Sequence, residues 1–199
     1  MTTSSGSNSP QFSCRASVAR RRRILFVALF LGSFAFPLLG NAQQPKLEYQ
    51  VKAVYLYNFG KFVDWPTANP TASKDDLFQI CVLGRDPFGP YLDSILAGET
   101  IQNRKLAARR IANSREAANC RILFISNSEA PRIKEILNSV EKSGVLTVSD
   151  TPGFTADGGM IQFVLTDNKV RFEVNLAAAE RSGLTLSSQL LKVATQVKR

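Results

Sequence analysis

Between Gly158 and Leu191 the spacing of apolar residues changes from strand-like to helix-like. Ile161, Phe163 and Leu165 alternate with Gln162, Val164 and Thr166; Val170, Phe172 and Val174 alternate with Arg171 and Glu173. A period of two with one strongly apolar face predicts a half-buried antiparallel pair. Asp167-Asn168 between the runs suits a two-residue turn, because both residue types tolerate positive φ. A helix and an amphipathic tail follow. This hairpin holds the densest run of core formers in the second half, so the rest of the chain is expected to pack on it.

Helical spacing governs the other long apolar run. Leu47, Val51, Val54, Tyr55, Phe59, Phe62 and Val63 predict one amphipathic helix from Pro45 to Asp64. Trp65-Pro66 ends it, since a residue before proline avoids helical geometry. Its aromatic stripe reads first as core packing and second as a contact for a partner or ligand. Short apolar strands are predicted at Phe78 to Gly84, Arg121 to Ser126 and Val145 to Ser149, with an edge strand from Leu106 to Ile111. A helix is expected to start at Arg85, with Asp86 as N-cap and Pro87 in its first position, and to end at Gly98. Another is expected from Glu129 to Ser143, capped by Ser128 and stopped by Gly144. Alternating strands and helices followed by a hairpin predict an α/β fold: a three-layer sandwich with a mixed, mostly parallel sheet, helices on both faces and a C-terminal antiparallel hairpin.

The formal charge of +9 changes meaning once it is located. Residues 1–42 carry five arginines and no acid, which leaves a net of +4 on the remainder. Four of those arginines, Arg20 to Arg23, precede sixteen mostly apolar residues and then Gly40-Asn41-Ala42. Basic region, short apolar core and small-residue cleavage site describe a signal peptide spanning 1–42, cleaved near Ala42. The run is shorter than the ~20 residues a spanning helix wants, so no stable membrane anchor is expected after cleavage. The mature domain, 43–199, is then periplasmic. No aromatic-interleaved basic stripe is present, and no nucleic-acid partner is expected.

The chain contains no histidine. That removes Ser-His and Cys-His triads and the commonest metal ligand. No catalytic residue, metal or cofactor is expected. Cys14 leaves with the leader, so Cys81 and Cys120 are the cysteines of the mature chain. Both are placed at the beginnings of buried strands at one end of a parallel sheet, which in an oxidising compartment favours a disulfide over two unpaired thiols. Gly84-Arg85, Ser126-Asn127 and Ser149-Asp150 each follow the carboxyl end of a predicted strand, where open α/β sheets form their ligand crevice. They are candidates either for small-molecule binding or for ordinary helix capping.

Four pieces together resemble the YfiR family of Gram-negative periplasmic proteins: KAVYLYNFGKFVDWP, QICVLG, VLTVSDTPGFTADGGMIQFVL and KVRFEVNLAAAERSGLTLSSQLLKVA. The resemblance covers residues 47–194, and Cys81 and Cys120 fit the placement of the family's inter-strand disulfide. The second cysteine pair of the characterised member has no counterpart here. The resemblance implies a homodimeric, non-catalytic regulator. It would bind the periplasmic domain of an inner-membrane diguanylate cyclase and hold it inactive, lowering cyclic-di-GMP and biofilm formation. Candidate contact residues are Tyr55, Phe59, Trp65, Phe154, Ser187, Ser188 and Leu190. The alternative is a periplasmic small-molecule sensor feeding another membrane signalling system.

Overall fold

The computed structural model describes residues 43–65 and 77–199. The expected leader and the polar loop after Trp65 lie outside the described residues. Contacts divide the chain into Met1–Asn41 and Ala42–Arg199, and the second unit is described below.

The first helix, α1 (Gln43–Phe62), is followed by the two-residue strand β1 (Val63–Asp64). The main sheet begins with β2 (Phe78–Leu83). It continues through β3 (Thr100–Ile101), β4 (Arg104–Ile111), β5 (Ile122–Ile125), β6 (Leu146–Ser149), β7 (Ile161–Thr166), β8 (Lys169–Asn175) and β10 (Gln196–Lys198). The strand order is β10-β8-β7-β6-β5-β2-β4-β3. From β4 to β7 neighbouring strands are parallel; β7–β8 and β3–β4 are antiparallel. A separate two-stranded ladder pairs β1 with β9 (Thr185–Leu186).

Alternation along β2 shows how the sequence builds three layers. Phe78, Ile80 and Val82 face one core with Leu56 and Phe59 of α1. Cys81 and Leu83 face the other, against Ile133, Ile136, Leu137 and Val140 of α3 (Ile133–Val140). Both cores are closed to solvent because these central strands are buried on both faces, as parallel sheets require. The hairpin forms as its spacing predicts, with Asp167 at φ 51° and Asn168 at φ 57° and Phe163 opposite Phe172.

Several boundaries differ from the sequence reading. The helix after β2, α2 (Pro90–Leu96), starts later than expected and uses Pro90 in its first turn. Asp86 instead accepts a hydrogen bond from the Phe88 backbone N–H at 2.8 Å, a local turn that precedes the helix. The helix predicted from Glu129 is split: Asn127–Arg132 is 3₁₀ around Pro131, and only Ile133–Val140 is α. Ser126, not Ser128, accepts the capping bond at its start. The amphipathic tail is α4 (Leu176–Arg181), β9, α5 (Ser188–Val193) and the edge strand β10, which runs parallel to β8.

Cys81 and Cys120 are bonded, with Cα atoms 5.9 Å apart. Cys81 sits within β2 rather than at its beginning, and Cys120 follows a short 3₁₀ helix, Ser114–Asn119. The bridge is buried beside Ala117 and Leu123 in the second core.

Candidate functional site

A lysine at a core-facing position of α1 organises the polar crevice at the strand ends. Lys52 is 3% exposed. Its Nζ lies 2.5 Å from Glu48 Oε1 and 2.6 Å from Asp150 Oδ2. The Tyr49 hydroxyl donates to the same Asp150 oxygen at 2.8 Å. Lys52 Nζ also lies 4.3 Å from the centre of the Tyr49 ring, within cation–π range. Burial first, then the hydrogen bond to Asp150, pushes the Tyr49 phenol well above its ordinary range. Asp150 Oδ1 is buried without a hydrogen-bond partner among the described residues.

Asp150 directly follows β6, and Asn127 follows β5 by two residues, so both stand at the carboxyl ends of parallel strands. They line a cleft of about 400 Å³ with Glu48, Tyr49, Lys52 and Gln162. Pro152, Phe163, Val164 and Leu165 supply its less polar wall. Its position agrees with the general placement of ligands in open α/β sheets.

The structure sorts the other expected ligand residues differently. Ser149 is fully buried. Its hydroxyl donates to the Ile125 carbonyl at 2.8 Å and accepts from the Thr151 N–H at 3.1 Å, tying β6 to β5. Ser126 is buried and caps the 3₁₀ turn. Gly84 and Arg85 meet that turn: the Arg85 N–H donates to Ser128 Oγ at 2.9 Å. Gly84 has φ +88°, and a Cβ there would lie 2.5 Å from Ser128 Oγ, so glycine is needed for this close approach. Of the residues proposed for the crevice, Asn127 and Asp150 line the cleft, while Gly84, Arg85, Ser126 and Ser149 shape the strand ends. Tyr49, which the sequence placed in the aromatic stripe of α1, also lines the cleft; the missed residues are Lys52 and Glu48, whose signal was a lysine on the apolar face of a helix.

The expected partner residues also divide. Phe59 and Phe154 are fully buried and Leu190 is 3% exposed, so these three belong to the cores and are not surface contacts. Tyr55 is half-buried in an aromatic cluster, with ring centres 5.6 to 5.9 Å from those of Phe59, Phe163 and Phe172. Trp65 keeps part of its surface and packs edge-on against Phe78 at 5.2 Å. The β1–β9 ladder brings the end of α1 to the start of α5. Ser187 N–H donates to the Phe62 carbonyl at 2.9 Å, and Ser187 Oγ accepts from the Leu190 N–H as N-cap. Ser188 beside it is exposed. Trp65, Ser187 and Ser188 are therefore carried by segments joined through this ladder.

Among the described residues no group of three His, Cys, Asp or Glu side chains is placed to hold a metal ion. No described helix is long and apolar enough to cross a membrane. The described residues 43–65 and 77–199 form a disulfide-linked, three-layer α/β domain with a cleft at its strand ends. Residues 49–195 match the YfiR/HmsC-like family model, and the chain belongs to that family. The family is one of periplasmic, regulatory, non-catalytic domains. A conserved domain protein from Vibrio cholerae O1 biovar El Tor has a similar fold: TM-score 0.50 at 13% identity, over 73% of this chain and 60% of that one. An ABC domain from Streptococcus pneumoniae, solved with L-Trp, has a TM-score of 0.48 at 13% identity, over 75% of this chain and 60% of that one. The chain thus spans about three fifths of the length of either solved structure.

Proposed function

We propose that this protein is a periplasmic repressor that binds the periplasmic domain of an inner-membrane diguanylate cyclase and holds it inactive. Membership of the YfiR/HmsC-like family over residues 49–195 carries the reading. The proposed contact region is the ladder edge with Trp65, Ser187 and Ser188, whose side chains keep exposed surface. Tyr55, Phe59 and Leu190 belong to the core cluster on which Trp65 packs, whereas Phe154 lies in the other core. The test is cellular cyclic-di-GMP in a strain lacking the gene, against the same strain complemented. A rise reversed by complementation supports repression. An unchanged level while the protein is expressed sinks it. Complementation with Ser188→Arg or Trp65→Ala then reads the edge: both should fail to restore the low level while the protein stays folded.

A second reading is a small-molecule sensor. The observation favouring it is the cleft itself, where Asp150 presents a buried carboxylate oxygen with no partner among the described residues. An unpaired buried acceptor costs about 1–3 kcal/mol, which a hydrogen-bond donor from a ligand would recover. Ligand-dependent rises in melting temperature that disappear in Asp150→Asn would support it. A library that shifts both proteins equally would count against it.

A further inference from the structure

The charged cluster in the strand-end cleft leaves acceptors over and has no charged donor to spare. Lys52 Nζ is held by Glu48 Oε1 at 2.5 Å and Asp150 Oδ2 at 2.6 Å, and it lies over the Tyr49 ring. The Tyr49 hydroxyl donates to the same Asp150 oxygen. Asp150 therefore takes both bonds on Oδ2 and none on Oδ1, although a carboxylate can accept about four. Its side chain is nine-tenths buried, so bulk water does not serve the unpaired oxygen. Glu48 uses Oε1 alone among the described residues. Charge points the same way. The charged groups lining the cleft are Glu48, Asp150 and Lys52, two carboxylates against one ammonium, a net of −1. Lys46 is exposed and is not part of the lining. Asn127 and Gln162 add uncharged amides. Pro152, Val164 and Leu165 form an apolar wall beside them, and Leu165 is 56% exposed.

We propose that this cleft binds a small primary ammonium ion with a short apolar body and no carboxylate of its own. The proposal deepens the small-molecule reading of the cleft and rests on it. The ammonium donates to Asp150 Oδ1 and to Glu48 through charge-assisted hydrogen bonds, which a neutral head cannot match. An ammonium carries donors and no acceptor, which suits a cluster with acceptors in excess. Oδ1 is shielded from water in the empty cleft; rotation about the Asp150 Cβ–Cγ bond, a soft torsion, presents it. The hydrocarbon body lies against Pro152, Val164 and Leu165 and takes part of the Leu165 surface out of water. A volume of about 400 Å³ holds such an ion and falls at the small end of ligand pockets. An amino acid fits less well. Its carboxylate needs a cation, and the cation lining the cleft, Lys52, is held by Glu48 and Asp150. Those two acids also repel a further carboxylate.

The test is a titration of the purified, isotope-labelled protein followed by its amide chemical shifts. The probes are n-pentylammonium, 1-pentanol and norleucine, which share one hydrocarbon chain and differ in the head. Pentylammonium should move the amide signals of Asp150 and of Gln162 to Leu165 in a saturating way, with a Kd of about 1 mM or below. 1-Pentanol and norleucine should each bind at least about tenfold more weakly. Glu48→Gln brings the cleft to neutrality and should weaken pentylammonium by about threefold or more, leaving 1-pentanol unchanged. Asp150→Asn should weaken it further. Because that change also strands Lys52 and can unfold the domain, Glu48→Gln and the neutral probe carry the test. If 1-pentanol or norleucine binds as tightly as pentylammonium, the ammonium assignment is overturned and the sensor reading stands. An affinity unchanged in Glu48→Gln overturns the assignment as well. No saturable shift at the cleft with any of the three overturns the proposal, and the wider ligand library then judges the sensor reading alone.

Discussion

Lys52 Nζ lies 2.6 Å from Asp150 Oδ2, a contact between residues 98 apart in sequence. It fastens α1 to the end of β6, and both side chains are at least nine-tenths buried. The attraction between such a pair roughly offsets the cost of removing both from water, but removing one partner leaves the other charge stranded. Lys52→Met should therefore destabilise the domain by about 3–5 kcal/mol, read as a lower urea midpoint at unchanged slope. Combining it with Asp150→Leu should recover part of that loss. A cost under about 1 kcal/mol would mean that water reaches the pair.

Tyr49 adds an alkaline limit to the same cluster. Its phenol is pushed up by burial, then by its hydrogen bond to Asp150 and by the neighbouring carboxylates. The unfolded chain ionises this group near its ordinary value of 10, and the folded chain only above that. Between the two values the unfolded state binds fewer protons, so stability falls as pH rises. The contribution of Tyr49 is thus fully present below pH 10 and is lost above it. Urea unfolding at pH 9, 10 and 11 should show the advantage of wild type over Tyr49→Phe shrinking with pH. Parallel curves would show that Tyr49 ionises alike in both states.

The Cys81–Cys120 bridge spans 39 residues and crosses from β2 to the entry of β5. In the chain-entropy model a loop of that length corresponds to about 4 kcal/mol. Because the bridge is buried, Cys81→Ala also leaves a small gap in the second core. The double variant Cys81→Ala, Cys120→Ala should unfold at a clearly lower urea concentration than the oxidised protein. Wild type unfolded with reductant present should approach the variant. If reductant changes nothing, the thiols contribute as packing rather than as a covalent link.

The hairpin, the central strands and the bridge were legible because each has a local signature: alternation, a short apolar run, a cysteine pair in an exported chain. The late start of α2 was not. Asp86-Pro87 and Gly89-Pro90 both offer helix starts, and the side chain of Asp86 bonds to a local backbone N–H instead. The strands β1, β9 and β10 were illegible for another reason. They span two or three residues each and exist only through pairing with distant segments. The cleft was half legible. Asp150 followed from strand-end logic, whereas Lys52 and Glu48 sit 98 or more residues away on a helix read for its apolar positions. Periodicity assigned Leu47, Val51 and Val54 to the wrong side of that helix because α1 carries apolar residues on two faces.

Phe154 separates a core role from a contact role. It is fully buried in the second core, and the Gly159 N–H donates to its carbonyl at 2.9 Å. The ring lies directly over Gly159, where any Cβ would overlap it. The loop from Thr151 is folded around this ring, which explains an aromatic residue in a stretch otherwise rich in turn formers. Phe154→Ala should cost about 3–5 kcal/mol, the range for emptying a phenylalanine site in a core. Gly159→Ala should cost about 1–3 kcal/mol by overpacking. A surface contact residue would behave differently, with stability changed by less than about 0.5 kcal/mol and partner binding lost. Thermal or urea unfolding of the two variants, beside cyclase binding of whatever remains folded, decides between the roles. Large losses of stability in both place Phe154 in the architecture of the domain. A stable Phe154→Ala protein that no longer binds would return it to the partner surface.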